Sequence, residues 1–277
     1  MSAKLFVFKH LPDKITCVAD FVNRVTEWKQ EVDTQVWFRG QPEIYKKNLI
    51  PTSGRQHVYN GKKVEGFDSD QERKLLDRFR RRSYAHLNRI LTEWEALFLS
   101  RHHRLPTRIL DWTANALVGL WFATSDKIEK RGSVWAIARV KEDKYDLPII
   151  DLLNDPKSSP FTYPCRVDPD PDVDTDDAIK IVHPIYNSPR IVSQSGVFTF
   201  HSEPSRELEC YNSHRFRVER LDIEQLVRWD IEPDAKTSIV QNLDGLGINQ
   251  RTVYPDLDGL AGGLLQSEVL WRGTAIT

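Results

Sequence analysis

Arg101-His-His-Arg-Leu-Pro-Thr-Arg-Ile-Leu-Asp-Trp-Thr-Ala-Asn-Ala-Leu-Val-Gly-Leu-Trp-Phe-Ala-Thr124 crowds ionisable and polar side chains just ahead of an apolar run. Pro106 disfavours helical geometry at Leu105, so a preceding helix ends there and a turn exposes Thr107 and Arg108. Leu117, Leu120, Trp121 and Thr124 then fall at helical spacing. This predicts a helix with Asp111 and Thr113 in its first turn, where carboxylates and hydroxyls cap free amides. Capping accounts for Asp111 by itself; a role in a site is the alternative. Arg108, three residues earlier, either pairs with Asp111 or aims its guanidinium fork at a ligand's phosphate or carboxylate. His102 and His103 are adjacent, so one helix cannot direct both at one metal. Packing, a dipole contact or general acid and base chemistry is left to them.

Upstream, Ser69-Asp-Gln-Glu72 reads as a capping box. Leu75, Leu76, Phe79, Leu87, Ile90, Leu91, Trp94, Leu97 and Phe98 follow on one face of a helical region broken near Tyr84 or Thr92. Lys74, Arg78, Arg80, Arg81, Arg82 and Arg89 lie mostly off that face, as a solvated surface or a phosphate-contacting one. Leu5 to Phe8 predicts a strand, and Ile15, Val18, Phe21, Val22 and Val25 a helix. Gln35-Val-Trp-Phe-Arg-Gly-Gln41 is a strand whose end presents Arg39 and Gln41, and Asn48 to Gly66 a long loop. Downstream, Ser133 to Arg139, Val197 to Phe200 and His214 to Arg220 predict strands. Ile223 to Arg228, Lys236 to Leu246 and Leu257 to Leu265 predict helices. Elements mingle without a regular βα repeat, which points to an α+β fold: a mixed or antiparallel central sheet packed with helices, in one compact domain over 1–277.

The 277 residues, 40% apolar and 29% charged, suffice for a sizeable core. A formal net charge of -1 means that any phosphate or nucleic-acid binding must come from a local patch. Three scattered cysteines suit a reducing compartment and exclude a cysteine-rich zinc module. No uncharged apolar run is long enough to span a bilayer, so a cytoplasmic protein with no membrane partner is expected. Asp168 to Asp177 is acidic and broken by prolines, and lacks the Gly and terminal Glu of an EF-hand. It is read as a solvated loop, and no metal is expected.

Three further places could carry chemistry. Arg39 ends a strand beside Gly40, where a side chain can project into a crevice or merely sit on the surface. Gln194 and Ser195 precede Gly196 in a turn able to offer an amide and a hydroxyl to a ribose or base; no Gly-x-Ser-x-Gly setting makes Ser195 a nucleophile. In Tyr254-Pro-Asp-Leu-Asp-Gly-Leu-Ala261, Asp256 is explained by capping. Asp258, two residues on, points to another side of a helix, which weakens a two-carboxylate hydrolysis reading.

Phe38-Arg39-Gly40, the stretch from His103 to Ala123, Gln194-Ser-Gly-Val-Phe-Thr199 and Tyr254 to Ala261 together resemble the FRG domain family, over roughly Trp37 to Ala261. Arg104 stands where that family commonly has a small residue and Tyr254 where it commonly has Phe. The resemblance implies an intracellular effector associated with phage defence or toxin biology. The residues also resemble ADP-ribosyltransferases. Arg39 is similar to the early-strand arginine on NAD phosphate or ribose, Gln194 and Ser195 to the polar strand edge at the nicotinamide end. Glu268 of Gln266-Ser-Glu268 is similar to the glutamate that stabilises the ribosyl cation, or is an exposed helix-end charge. The expectation is that Arg39, Arg108, Asp111 and Glu268 act on NAD or another nucleotide, transferring ADP-ribose to a protein or nucleic-acid acceptor or cleaving the glycosidic bond. Gln41, His103, Thr107, Trp112, Thr113, Gln194 and Ser195 would bind substrate. The alternatives are a nucleotide or nucleic-acid binding module without catalysis, and a metal-independent nuclease using His103 with Arg108.

Overall fold

The computed structural model describes residues 6–139, 150–151, 159–161, 179–184, 189–212 and 223–272. In chain order its elements begin with β1 (Val7–Ile15), α1 (Val18–Val32), β2 (Val36–Gln41), β3 (His57–Tyr59) and β4 (Lys62–Val64). Next come α2 (Ser69–Leu87), α3 (Glu93–His102), β5 (Ile109–Thr113), α4 (Ala116–Thr124), β6 (Gly132–Arg139) and β7 (Ile150–Asp151). Then follow β8 (Ile179–His183), α5 (Pro189–Ser193), β9 (Gly196–His201), β10 (Ile223–Ile231), α6 (Pro233–Gly245), α7 (Gln250–Val253) and α8 (Leu257–Arg272).

Eight strands form one mixed sheet in the order β1-β10-β6-β2-β5-β9-β8-β7. β1 with β10 and β7 with β8 are parallel; the other pairs are antiparallel. The fold is α+β, as the mingled pattern of strands and helices leads one to expect. Paired residues share a sheet face, so the Phe38 and Thr113 pair puts Phe38, Asp111 and Ile109 on one side. At one end of that side Phe38, Ala136 and Trp229 pack with Phe21, Trp28 and Ile239 from α1 and α6. At the other, Ile109, Phe198 and Phe200 pack with Leu76, Trp94, Leu97 and Phe98 from α2 and α3. The opposite face is a third core around Trp37, Leu110, Trp112, Trp135 and Ile181.

Several local expectations are corrected, each for a reason seen in the packing. Asp111 and Thr113 are not in a helix's first turn: they lie in β5, paired with β9 from Ile109 opposite Phe200 to Thr113 opposite Gly196. The cap of α4 is Asn115, whose Oδ1 accepts from the amides of Leu117 and Val118. Ile223 to Arg228 is strand, because β10 lies between β1 and β6, where burial on both faces hides the alternation that marks a strand. The capping box of α2 is Asp68 with Gln71. Ser69 and Glu72, one residue out of register with that box, both bond Arg108 instead. Ile15 closes β1 before α1 begins, and the Asn48 to Gly66 segment contains the β3 and β4 hairpin. The strand expected over His214 to Arg220 and the acidic stretch from Asp168 to Asp177 lie outside the described residues. Among the described residues no helix is long and apolar enough to cross a membrane.

Candidate functional site

The Phe-Arg-Gly triplet has a steric basis. Gly40 faces α4, and a Cβ there would stand 2.1 Å from the carbonyl oxygen of Gly119 and 2.5 Å from the amide of Ala123. A Cβ on Gly119 would in turn meet the Phe38 Cβ at 2.9 Å. The two glycines let helix and strand touch backbone to backbone. β2 and β5 pair only at Phe38 and Thr113 among the described residues, and Arg39 reaches across this junction. Its Nη1 donates to the Asp111 carbonyl at 2.7 Å and lies 3.5 Å from Asp111 Oδ2.

Here a cleft of about 450 Å³ opens. Arg39, Arg101, Arg104 and Arg190 line it with His102 and one carboxylate, Asp111. Phe122 and Tyr254, both half-buried, are its accessible aromatic lining, backed by the buried rings of Phe38, Phe98 and Phe198. Arg101, in the last turn of α3, grips the carboxylate: Nε and Nη2 donate to Oδ2 at 3.0 and 2.6 Å. The Thr52 hydroxyl accepts from Arg101 Nη1 at 3.2 Å and from the Thr107 amide at 3.0 Å, fixing the arginine from behind. Arg190 lies over the Tyr254 ring, 4.0 Å from its centroid. Tyr254 is held because α8 passes against it: a Cβ on Gly259 would stand 1.8 Å from the Tyr254 carbonyl oxygen.

The electrostatics follow from this crowding. Burial opposes ionisation of Asp111, but Arg101 and then Arg39 overcome it and hold the carboxyl down at about 2. Burial lowers Arg39 to about 10, with Asp111 pulling it up and Arg101 and Arg55 pushing it down, so it stays cationic at neutral pH. For Arg101 burial is outweighed by Asp111, and its pKa rises. Burial, Arg190 and His103 lower His102 below the usual histidine value. Four guanidiniums against one carboxylate make the cleft a cationic chamber with an aromatic lining.

The structure brings Arg39, Asp111, Thr113 and Gln194 to this cleft. Thr113 Oγ1 donates to the Gln194 carbonyl at 2.5 Å, and Gln194 Nε2 donates to the Val253 carbonyl at 3.2 Å. Their polar groups thus tie β5 to the segment that carries Tyr254. Trp112 borders the cleft, but its indole N–H donates to Thr199 Oγ1 on the opposite sheet face. That hydroxyl also bonds His201, which burial and Arg39 push down to about 3 and so keep neutral. Ser195 adopts a left-handed backbone at φ 46°, and its carbonyl accepts from the Ala114 amide.

Arg108 does not face the cleft, and its partner is not Asp111. Its backbone amide and Nε donate to Glu72 at 2.8 and 2.9 Å, and its guanidinium lies over Phe161 and Phe200. The reason is the Glu72 carboxylate buried beneath α2, which takes both its amide and its guanidinium. Thr107 is buried, Gln41 is buried with its Oε1 accepting from the Trp135 indole, and His103 packs near Phe79. Glu268 is exposed on α8 and is not among the residues lining the cleft.

Sequence reasoning passed over Arg101, Arg104, Arg190 and Thr52 as ligand-facing groups, and weighed His102 with His103 for packing, a dipole contact or general acid and base chemistry. Arg101 and Arg104 had a signal: a helix ended by Pro106 leaves its last turn beside the strand that follows. Arg190 and Thr52 had none, since chain folding alone brings them in.

Residues 34–132 match the family model of the FRG domain. The match supports the FRG family for this stretch. It spans β2 to the start of β6, and so includes Arg39, Arg101, Arg104 and Asp111. The FRG match is shorter than the Trp37 to Ala261 span suggested by the motifs, and Arg190, Gln194 and Tyr254 fall outside it. No curated protein and no solved structure matches the chain.

Proposed function

We propose that the cleft of this FRG-domain chain binds a nucleotide. The observation that carries this reading is the combination of four arginines, a single carboxylate and an aromatic wall in one chamber. Guanidinium forks match phosphate oxygens in pairs, and the half-buried rings of Phe122 and Tyr254 can meet a base or a nicotinamide ring. Arg104 and Arg190 have no carboxylate partner within 4 Å among the described residues, so they are available to an anion without breaking an ion pair. NAD, with two phosphates between two ring systems, is the ligand class that uses both features. A cleft of about 450 Å³ is within the usual range for small-molecule sites.

A second reading, glycosidic cleavage of NAD or transfer of its ADP-ribose, is favoured by one observation: Asp111 stays ionised and its side chain is 41% exposed toward the cleft. A fixed carboxylate can stabilise a developing ribosyl cation. Two guanidiniums on the same oxygen offset that charge, which is why binding is the leading conclusion. The nuclease reading loses its support, since Arg108 is sealed against Glu72. An effector role in phage defence rests on the family resemblance and not on the cleft.

The test is calorimetric titration of the chain with NAD, ADP and adenosine, together with incubation with NAD labelled in its adenylate part. We expect NAD and ADP to bind and Arg190→Gln to weaken both at least about tenfold, the worth of one charged hydrogen bond. Absence of binding by all phosphorylated ligands at millimolar concentration would end the reading. Release of nicotinamide, abolished in Asp111→Asn, would raise the cleft from binding to catalysis.

A further inference from the structure

We propose that the outer face of α2 is a docking surface for the phosphodiester backbone of a nucleic acid. Lys74, Arg78, Arg81 and Arg82 are exposed and fall within roughly 100° of the helix circumference at 3.6 residues per turn. No acidic residue of α2 shares that arc: Asp70 and Asp77 lie to one side, and Glu72 is buried against Arg108. None of the four makes an ion pair among the described residues.

Within the stripe Lys74 with Arg78 and Arg78 with Arg82 are like-charge pairs at i and i+4, which oppose the helix, while Asp70 and Asp77, four residues before Lys74 and Arg81, offset this only from the edge of the arc. On a chain with a formal net charge of -1 the excess is local and belongs to this face. Three of the four are arginines, whose forks match phosphate oxygens. From Lys74 to Arg82 the stripe runs about 12 Å at about 1.5 Å per residue, long enough to meet more than one successive phosphate.

Two features favour nucleic acid over a membrane. Leu76 and Phe79 of α2 are packed in the core formed with α3, and the exposed Tyr84 and Leu87 lie outside the basic arc, so the stripe is not paired with an apolar face that could enter a bilayer beside it. The stripe also leads to the cleft. Arg82 neighbours Phe79 at i and i+3, the Phe79 ring lies 6.4 Å from that of His103, and the next residue, Arg104, lines the cleft. This surface stands whether or not the cleft binds a nucleotide.

The experiment measures fluorescence anisotropy of labelled 20-nucleotide RNA and 20-nucleotide DNA, each across a salt series. It compares the natural chain with the combined Arg78→Gln, Arg81→Gln and Arg82→Gln variant. All three side chains are on the solvent side of α2, so an unchanged thermal midpoint confirms that the variant folds. The natural chain is expected to bind at least one of the two strands, the arms separating RNA from DNA. The variant is expected to lose at least tenfold in affinity at low salt. The slope of log affinity against log salt should shrink by about 2, since each lost phosphate contact carries about 0.7. Unchanged affinity and slope in the variant, or no binding by the natural chain at low salt, would overturn the proposal. Equal, arginine-dependent binding of a polyglutamate of the same length would also overturn it, in favour of an acidic protein partner. NAD titration of the same variant, expected to match the natural chain, separates failure of this surface from failure of the cleft.

Discussion

Two arginine and carboxylate constellations meet β5 at neighbouring positions and end in opposite states. Arg108, just before β5, forms a pair with Glu72 whose side chains are 5% and 2% exposed, with Ser69 and two aromatic rings completing the enclosure. Asp111, three residues later, is held by Arg101 and Arg39 but leaves 41% of its side chain open to the cleft. The first pair has nothing to offer a ligand, because it is enclosed and both carboxylate oxygens are taken by Arg108 itself. The second keeps its ions charged and aligned next to Arg104 and Arg190, which have no carboxylate partner among the described residues. Arginine content alone does not make a site; the difference lies in which pair the fold leaves open.

The comparison can be broken most sharply at the sealed pair. Glu72→Gln strands a buried guanidinium, and a loss of about 3–5 kcal/mol in unfolding free energy by urea titration is expected, with ligand affinity of the folded fraction retained. A loss below about 1 kcal/mol would mean that the pair is not sealed in solution. Gly40→Ala puts a methyl into the backbone of α4, costs about 1–3 kcal/mol and displaces Arg39 from Asp111, so stability and nucleotide binding should fall together.

A smaller, pH-dependent effect belongs to the open pair. Asp111 is depressed from 3.8 to about 2, so its contribution to stability is fully present above about pH 4 and is lost as pH falls through about 2. Asp111→Asn lacks this contribution. Its thermal midpoint should therefore lie below that of the natural chain at pH 6, and the gap should shrink to a small remainder at pH 2. A gap that is constant across this window would remove the ion pair as the source. Smallest in stability is Arg190→Gln, which should lower unfolding free energy by no more than about 1 kcal/mol, the worth of its contact with the Tyr254 ring, while weakening nucleotide binding.

Much of the frame was legible in the sequence, and the failures have physical causes. β2, β6 and β9 were readable because β-rich runs end at clear breakers, and Pro106 marked the end of α3. β10 read as helix because a central strand buries both faces. Asp111 read as a helix cap because Asn115, four residues on, does that work. For the site, Arg39, Asp111 and Gln194 could be nominated from their local settings. Arg108 was placed in the same group because spacing suggested Asp111 as its partner, whereas tertiary packing supplied Glu72 from 36 residues away. Arg190 and Tyr254 needed the fold, since their cation and ring meet across more than sixty residues of chain.

The central claim, that the open constellation receives a nucleotide and the sealed one does not, is tested most directly by calorimetric titration of NAD into the natural chain, Arg190→Gln and Glu72→Gln. The account predicts binding by the natural chain, at least about tenfold weaker binding by Arg190→Gln, and undiminished affinity in the folded fraction of Glu72→Gln. Binding that survives intact in Arg190→Gln but disappears in folded Glu72→Gln would contradict it.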